Sequence, residues 1–559
     1  MQRLAGLFAF AAVVALCPSS PALAQAAEQP IRFERIESVI DLQPDGQWTQ
    51  EIVQRFKIQT QAGLQGGGQM VFPHNLSMQR FEVLEAFTAK ANGTRVTVKP
   101  EAIFQRDLPA TAGAPMFADM KVDLVVFPDI AVGDSIEARV RYRQIEPMFP
   151  GQFSNLWFAM PHFPLDSVRI VLRAPRTLAI RVSNEGYAEK RSAEGDSAIY
   201  EWTTSNTVVE PMESGSVSPL DYSHRLSVST FPDFASMAQA YAARANDKAA
   251  VTPAIKKLAD ELTAGTNNPG EQARRIYDWV AQNIRYVGIF LGAGAVVPHP
   301  ADQVLSNRYG DCKDHVTLMT AMLAAKGIEA RTAIVSAGNS YWVGKLPLLP
   351  NFNHVILYLP GLDAWADPTS TITPFGRLPT AVQGKTVVLA PSGELRTTPV
   401  DKSSDNVTLR RVRYEIQPDG SIKASSQIEA KGVRAEAYRD VARQLTAEKV
   451  ADYVRRTTTG ARYKGEGSVT FTGVAERSDK ISLAAAYTLT GGIDWPGSGS
   501  FEVPAGFRGN ESVSTQVRQN ATANKLPRVS GGVETLIEEY EIVLPPKMKV
   551  IALPKPVSF

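Results

Sequence analysis

Cys312 lies in the run Asn307-Arg308-Tyr309-Gly310-Asp311-Cys312-Lys313-Asp314-His315. From Cys312 onward Val316, Met319 and Leu323 recur at helical spacing, and Gly327 falls where a left-handed helix stop is expected. The cysteine is therefore expected in the first turn of a helix, where unpaired backbone N–H groups and the positive end of the helix dipole favour a thiolate. A thiolate nucleophile works best with a base that also delivers a proton to a leaving amine, and histidine suits that task. Of the six histidines, His354 opens the apolar run Val355-Ile356-Leu357-Tyr358-Leu359, and Asp367 follows in Trp365-Ala366-Asp367-Pro368-Thr369. If Pro360-Gly361-Leu362-Asp363 turns the chain back, His354 and Asp367 fall on neighbouring strands, where a carboxylate can fix the imidazole's tautomer and orientation. A lone histidine at a strand end is more often structural, and a free cysteine is commonly a small core residue. The joint pattern of one cysteine at a helix start, then His and Asp on consecutive strands, points instead to nucleophilic catalysis by Cys312, His354 and Asp367.

The neighbours of Cys312 read differently. Asp311 and Asp314 flank a helix start, where carboxylates complement the dipole, so a structural role is expected for both. His315 is expected to be an exposed and incidental first-turn residue, and Lys313 a solvated charge. Asp311, Cys312 and His315 offer zinc-compatible atoms, but zinc normally takes three or four protein ligands in spaced pairs such as C-x-x-C, and no such pair is present. The Gly63-Leu64-Gln65-Gly66-Gly67-Gly68 run opens no helix that could hold a phosphate and is read as a loop. Neither metal nor cofactor is expected.

Several elements must position these residues. Up to about Thr230 the chain alternates and turns: Ile136, Ala138, Val140 and Tyr142 point one way, while Glu137, Arg139, Arg141 and Arg143 point the other. That pattern predicts a β-sandwich. Between Phe234 and Lys326 the period becomes helical, with Ala273, Ile276, Val280 and Ile284 on one stripe. Strand-like runs follow at Ala330 to Ser336, Asn353 to Leu359 and Ala364 to Asp367, an order that suggests an α+β domain. After about Pro391 alternation returns, broken by a helical stretch from Val433 to Arg456 and ending in a run near Thr535 to Leu544.

The first residues have the form of an export signal: Arg3, an apolar core from Leu4 to Leu16, and the small-x-small site Ala22-Leu23-Ala24. Cys17 raises a lipoprotein reading, but Leu16 is large where lipidation wants a small residue, so ordinary cleavage is preferred. Cleavage removes Arg3 and Cys17, lowers the formal net charge from +2 to +1, and leaves Cys312 as the only cysteine. Near-neutral charge makes nucleic acid a poor partner. No later stretch approaches the length of a membrane helix, and the protein is expected to be periplasmic or secreted. Pro554 and Pro556 argue against a closing strand of an outer-membrane barrel, so the C-terminus is expected to be a surface tail. The expected division is 1–24 signal peptide, 25–232 N-terminal β-sandwich-like domain, 233–390 catalytic domain, and 391–559 C-terminal β-rich domain with a helical insertion.

At Tyr309-Gly310-Asp311-Cys312-Lys313-Asp314, with His354 and Asp367-Pro368-Thr369, the sequence resembles the bacterial transglutaminase-like superfamily, which is related in fold to papain-like cysteine proteases. The region before it resembles the domain of unknown function 3857. The resemblance implies a multidomain protein whose α+β transglutaminase-like (papain-like) core is flanked by N-terminal and C-terminal β-sandwich-like domains. It also implies an acyl-enzyme cycle in which Cys312 attacks a carboxamide or peptide carbonyl, His354 shuttles the proton, Asp367 orients His354, and water or an amine resolves the thioester. The backbone N–H of Cys312 would be one oxyanion donor, and Trp279 and Tyr286 are candidates for a second. The implied partner is a peptide or protein substrate, with a cell-wall peptide, an envelope protein and a small modified peptide as open alternatives. A non-catalytic binding or scaffolding protein is the alternative, motivated by β domains that fill more than half the chain.

Overall fold

The computed structural model describes residues 29–111, 113–288, 296–460, 463–491, 503–507, 513–519, 525–529, 533–546, 548–553 and 555. The expected export signal at 1–24 and the last four residues of the expected C-terminal tail lie outside them. Among the described residues no helix is long and apolar enough to cross a membrane. The chain divides into two compact units, one running up to Thr371 and including Gly384–Thr398, the other formed by Ile372–Gln383 and the chain from Pro399 onward.

The first unit begins with an eight-stranded sheet in the order Ala188–Glu194, Ser197–Asn206, Leu165–Pro175, Ile31–Leu42, Trp48–Ile58, Ser135–Gln144, Gln79–Ala89, Arg95–Thr97. Its neighbours are antiparallel except Ile31–Leu42 with Leu165–Pro175, which run parallel. Alternation drives the packing: Ile136, Ala138, Val140 and Tyr142 are buried, while Arg139 and Arg143 are exposed. Two three-stranded sheets share this sheet's cores. Met70, Phe72 and Val125 of the sheet containing Gln69–Asn75 and Met120–Val126 pack with Ile52, Phe56 and Val140. Leu226 and Val228 of Arg225–Ser229 pack with Ile40, Leu172 and Trp202. The Gly-rich stretch read as a loop instead contains a short helix, Gln61–Gly66, whose start is capped by Thr60 accepting from the Gly63 amide.

The core of the unit is a helical layer followed by a sheet. Helices Phe234–Ala245, Pro253–Leu262, Pro269–Asn283 and Ala301–Asn307 precede Cys312–Ala324. In Pro269–Asn283 the expected stripe faces inward, with Ala273, Ile276 and Val280 buried. Helix Cys312–Ala324 is buried on nearly every side, as befits a central element. Its end is set by Gly327 at φ 70°, a left-handed conformation that glycine adopts without steric cost. The helix packs against His354–Leu359, part of an antiparallel sheet ordered Ala364–Ala366, His354–Leu359, Arg331–Val335, Thr386–Leu389, Glu394–Thr397. This sheet runs past residue 390, the edge that sequence alone suggested for the domain.

In the second unit the strands Lys464–Thr472, Lys480–Thr490, Ile422–Lys431, Val407–Ile416 and Thr535–Val543 form one sheet in that order, and the last pair is parallel. Lys480–Thr490 alternates strictly between exposed and buried residues. Its buried face shares a core with Ala435 and Tyr438 of helix Val433–Gln444 and with Tyr453 and Val454 of helix Val450–Thr458. Among the described residues the layer against this sheet is therefore helical. The stretch read as an insertion occupies the face that a second sheet of a sandwich would need.

Candidate active site

Cys312 is the first residue of its helix, and Asp311 is the cap. The Asp311 carboxylate accepts from the Asp314 amide at 3.3 Å, and the Asp314 carboxylate accepts from the Asp311 amide at 3.2 Å, closing a reciprocal capping box around the cysteine. Gly310 explains itself in the same geometry: a Cβ there would stand 2.5 Å from Asp314 Cβ. The Gly-Asp-Cys-Lys-Asp run thus folds its second aspartate back over its glycine. The Cys312 amide is a first-turn N–H without an intrahelical acceptor.

His354 starts its strand opposite Val335, and the turn at Pro360–Leu362, with Asp363 left-handed at φ 45°, returns the chain as Ala364–Ala366. This is the hairpin the sequence suggested, and it brings His354 Nε2 to 2.9 Å from Asp367 Oδ2. The other Asp367 oxygen accepts from the Thr369 amide at 3.1 Å and the Thr369 hydroxyl at 2.6 Å, while the Tyr277 hydroxyl donates to the Asp367 carbonyl. Asp367 is therefore fixed from three sides. With Nε2 turned to Asp367, Nδ1 is the ring nitrogen left for a second partner, and Cys312 is near enough to raise the His354 pKa. The three side chains expected to act together are together, and all are buried: Cys312 is 1 %, His354 8 % and Asp367 3 % exposed.

Charge sets their protonation. Burial alone would lower the His354 pKa, but the Asp367 carboxylate and its hydrogen bond, followed by Cys312, outweigh it and hold the imidazole well above its ordinary value. Burial likewise opposes ionisation of Asp367, and His354 and Thr369 override it, so the carboxylate stays below its usual range. Neither group would be so stable alone.

Two expectations fail here. Lys313 is 2 % exposed and pairs with the buried Asp311 carboxylate rather than with water. Burial disfavours its ammonium, yet Asp311, Asp314 and Cys312 together raise its pKa above the ordinary value. Asp311 itself is pushed up to about 6, first by burial and then by Asp314, against the pull of Lys313. His315 is 1 % exposed; its ring nitrogens lie 2.8 Å from the Asp311 carbonyl and 3.1 Å from the Ile284 carbonyl. It braces the helix start against the end of helix Pro269–Asn283, and burial keeps its pKa low. Both errors share one cause: a helix buried all round has no polar face for these residues to occupy.

His299, which sequence reading passed over, completes the cluster. Its Nδ1 lies 3.1 and 3.2 Å from the two Asp314 oxygens, and its amide donates to the same carboxylate at 2.8 Å. Its place in Pro298-His299-Pro300, an extended and rigid tripeptide, is the available signal. Tyr286, one of the two suggested donors, pairs in register with Gly310 and keeps 36 % of its surface exposed. Its phenol is pushed up by burial first and then by the charges of Cys312, Asp311 and Asp367, and its ring lies 5.7 Å from the His315 ring. Trp279, the other, lies beneath the Arg308 guanidinium at 4.8 Å. Tyr241 also feels the charges of Cys312, Asp311 and Asp314, after burial.

Removing Lys313 should expose what it compensates. Lys313→Met leaves Asp311 buried without its partner, and the expected loss in urea unfolding at pH 7 is about 3–5 kcal/mol. At pH 5, where Asp311 can take a proton, the loss should be smaller. An equal loss at both pH values would contradict the ion-pair account.

Residues 256–354 match the transglutaminase-like superfamily, and residues 44–210 match the domain of unknown function DUF3857. The chain is a multidomain protein with a large β-rich N-terminal region and a transglutaminase-like core. The superfamily match contains Cys312 and His354 and ends at His354. Among solved structures the fold resembles a "putative protease" from Parabacteroides distasonis ATCC 8503, at 16% identity and a TM-score of 0.63, over 88% of this chain and 98% of that one. A "putative cysteine protease" from Cytophaga hutchinsonii matches at 13% identity over 54% of this chain and 79% of its own, with a TM-score of 0.18. An M1 zinc metallopeptidase from Deinococcus radiodurans matches at 10% identity over 35% and 42%, with a TM-score of 0.21. The last two scores are too low to bear on the fold. No curated protein matches the chain.

Proposed function

We propose that this protein is an exported cysteine enzyme that acts on peptide or carboxamide bonds through Cys312, His354 and Asp367. The observation that carries the reading is a single imidazole held between a buried thiol and a buried carboxylate, the thiol standing at a helix N-terminus. The Cys312 sulfur attacks the carbonyl carbon, and the oxyanion is met by the Cys312 amide, with Tyr286 or Trp279 as a second donor. His354 gives its proton to the departing nitrogen as the C–N bond breaks, leaving a thioester. Water or an amine then attacks the thioester and loses its proton to His354, and the acyl group departs as the C–S bond breaks and Cys312 leaves as thiolate, restoring the pair with protonated His354. The shared cores of the large sheet and its two small sheets support reading the N-terminal region as sandwich-like, and the helix-on-sheet core supports reading the catalytic domain as papain-like.

The test is product analysis. A glutamine-containing peptide incubated with a labelled amine should yield either the amine conjugate or cleaved or deamidated peptide. Labelled conjugate assigns acyl transfer; hydrolysed product alone assigns an amidase or peptidase. Binding of envelope peptides with neither product across a panel would favour a scaffold and overturn the proposal.

A further inference from the structure

We propose that Gly113–Phe117, a segment of the β-rich N-terminal region, is a positioning clamp for the nucleophile and hence a working part of the site. This inference rests on the reading of Cys312 as the nucleophile and goes beyond it by assigning a role to the N-terminal region. Almost two hundred residues separate this segment from Cys312 in sequence, yet it meets the elements that set the cysteine in place. The Tyr309 hydroxyl accepts from the Met116 amide at 3.1 Å, and the Arg285 guanidinium donates to the Gly113 carbonyl at 2.9 Å. Arg285 and Tyr309 are themselves paired, in the two-residue parallel ladder Arg285–Tyr286 with Tyr309–Gly310. One rung of that ladder carries Tyr286, and its other strand leads directly into Asp311 and Cys312. Ala114 and Phe117 close a small apolar cluster with Val287, the residue after the ladder.

Phe117 does more than fill space. Its ring centroid lies 5.8 Å from the Lys313 ammonium and 5.1 Å from the His299 ring, which stands perpendicular to it. Lys313 and His299 are the partners of Asp311 and Asp314, the two carboxylates that cap the helix at Cys312. A single ring, 4 % exposed, therefore lies against both groups and helps to bury Lys313, which is 2 % exposed. Because Asp311, Asp314 and Lys313 are buried, their pairings hold the capping box, and the box holds the cysteine. The segment thus acts on the nucleophile through the groups that aim the thiol.

The test uses the full chain. Phe117→Ala should slow alkylation of Cys312 by iodoacetamide about ten- to hundredfold and change the pH profile of that reaction, since small displacements of a reacting group cost rates of this order. Phe117→Leu keeps an apolar cover and should stay within about threefold of the parent. Tyr309→Phe, which loses only the Met116 hydrogen bond, should fall between them. Amide exchange of Tyr309–His315 should rise in Phe117→Ala while helix Pro269–Asn283 stays protected. This second readout does not depend on thiol chemistry: if Cys312 proves unreactive in the parent, the catalytic reading fails while exchange still reports on the clamp. Parental exchange at Tyr309–His315 in both Phe117→Ala and Tyr309→Phe would overturn the clamp. If Phe117→Ala does not fold, the Tyr309→Phe and Phe117→Leu results decide on the same criteria.

Discussion

Cys312→Ser is expected to lower turnover of any peptide or carboxamide substrate by roughly 10⁴-fold or more, with the thermal midpoint shifted by no more than a few degrees. The asymmetry follows from position. The side chain is small, sits on one helical turn, and contributes little packing that a hydroxyl cannot replace. Chemically the exchange is severe, because a serine hydroxyl is not deprotonated by an imidazole held cationic by its own carboxylate. The variant should still bind substrate, so product formation must be measured beside binding. Retained turnover would place the chemistry elsewhere.

Asp367→Ala is expected to cost about 10²–10⁴-fold in kcat/KM, and Asp367→Asn less, because an amide oxygen can still accept the His354 N–H while carrying no charge. The same pair leaves a signature in stability against pH. His354 has a folded pKa raised above its unfolded value of about 6.5, so its contribution is complete below that pH and declines as pH rises toward the folded value. Asp367 has a folded pKa below its unfolded value of about 3.9, so its contribution is complete above that pH and is lost as pH falls through the folded value. The stability difference between the parent and Asp367→Ala should therefore peak between about pH 4 and 6.5 and shrink on both sides. Urea unfolding across that range measures it, and a difference that grows steadily above pH 7 would contradict the assignment.

The local parts of the site were legible in the sequence. A cysteine followed by apolar residues at helical spacing can only begin a helix there, and the structure starts it at Cys312. Pro360-Gly361-Leu362-Asp363 is a turn by composition, and two strands joined by such a turn bring His354 and Asp367 side by side. What escaped is what depends on distant chain. Lys313 and His315 look like a polar surface until the remaining faces of the helix are covered, and a sequence window cannot show that Asp311 and Ile284 supply their partners. Phe117 carries no local signal, since its contacts to His299 and Lys313 exist only through the tertiary fold. Thr386–Leu389 had the β-branched composition of a strand, but its insertion beside Arg331–Val335 is a matter of topology. In the second unit the helical stretch was read in the right place, whereas its packing over the sheet required knowing which face of Lys480–Thr490 was left uncovered.

The central claim is that His354 and Cys312 act as a pair, and the most direct measurement is the rate of iodoacetamide alkylation against pH for the native chain and for His354→Ala. With its thiol 1 % exposed, Cys312 calls for a small reagent of this kind. Labelling of the native protein should remain fast below about pH 6 and collapse in His354→Ala. A thiol that reacts only after denaturation, or one whose profile is the same with and without His354, would contradict it.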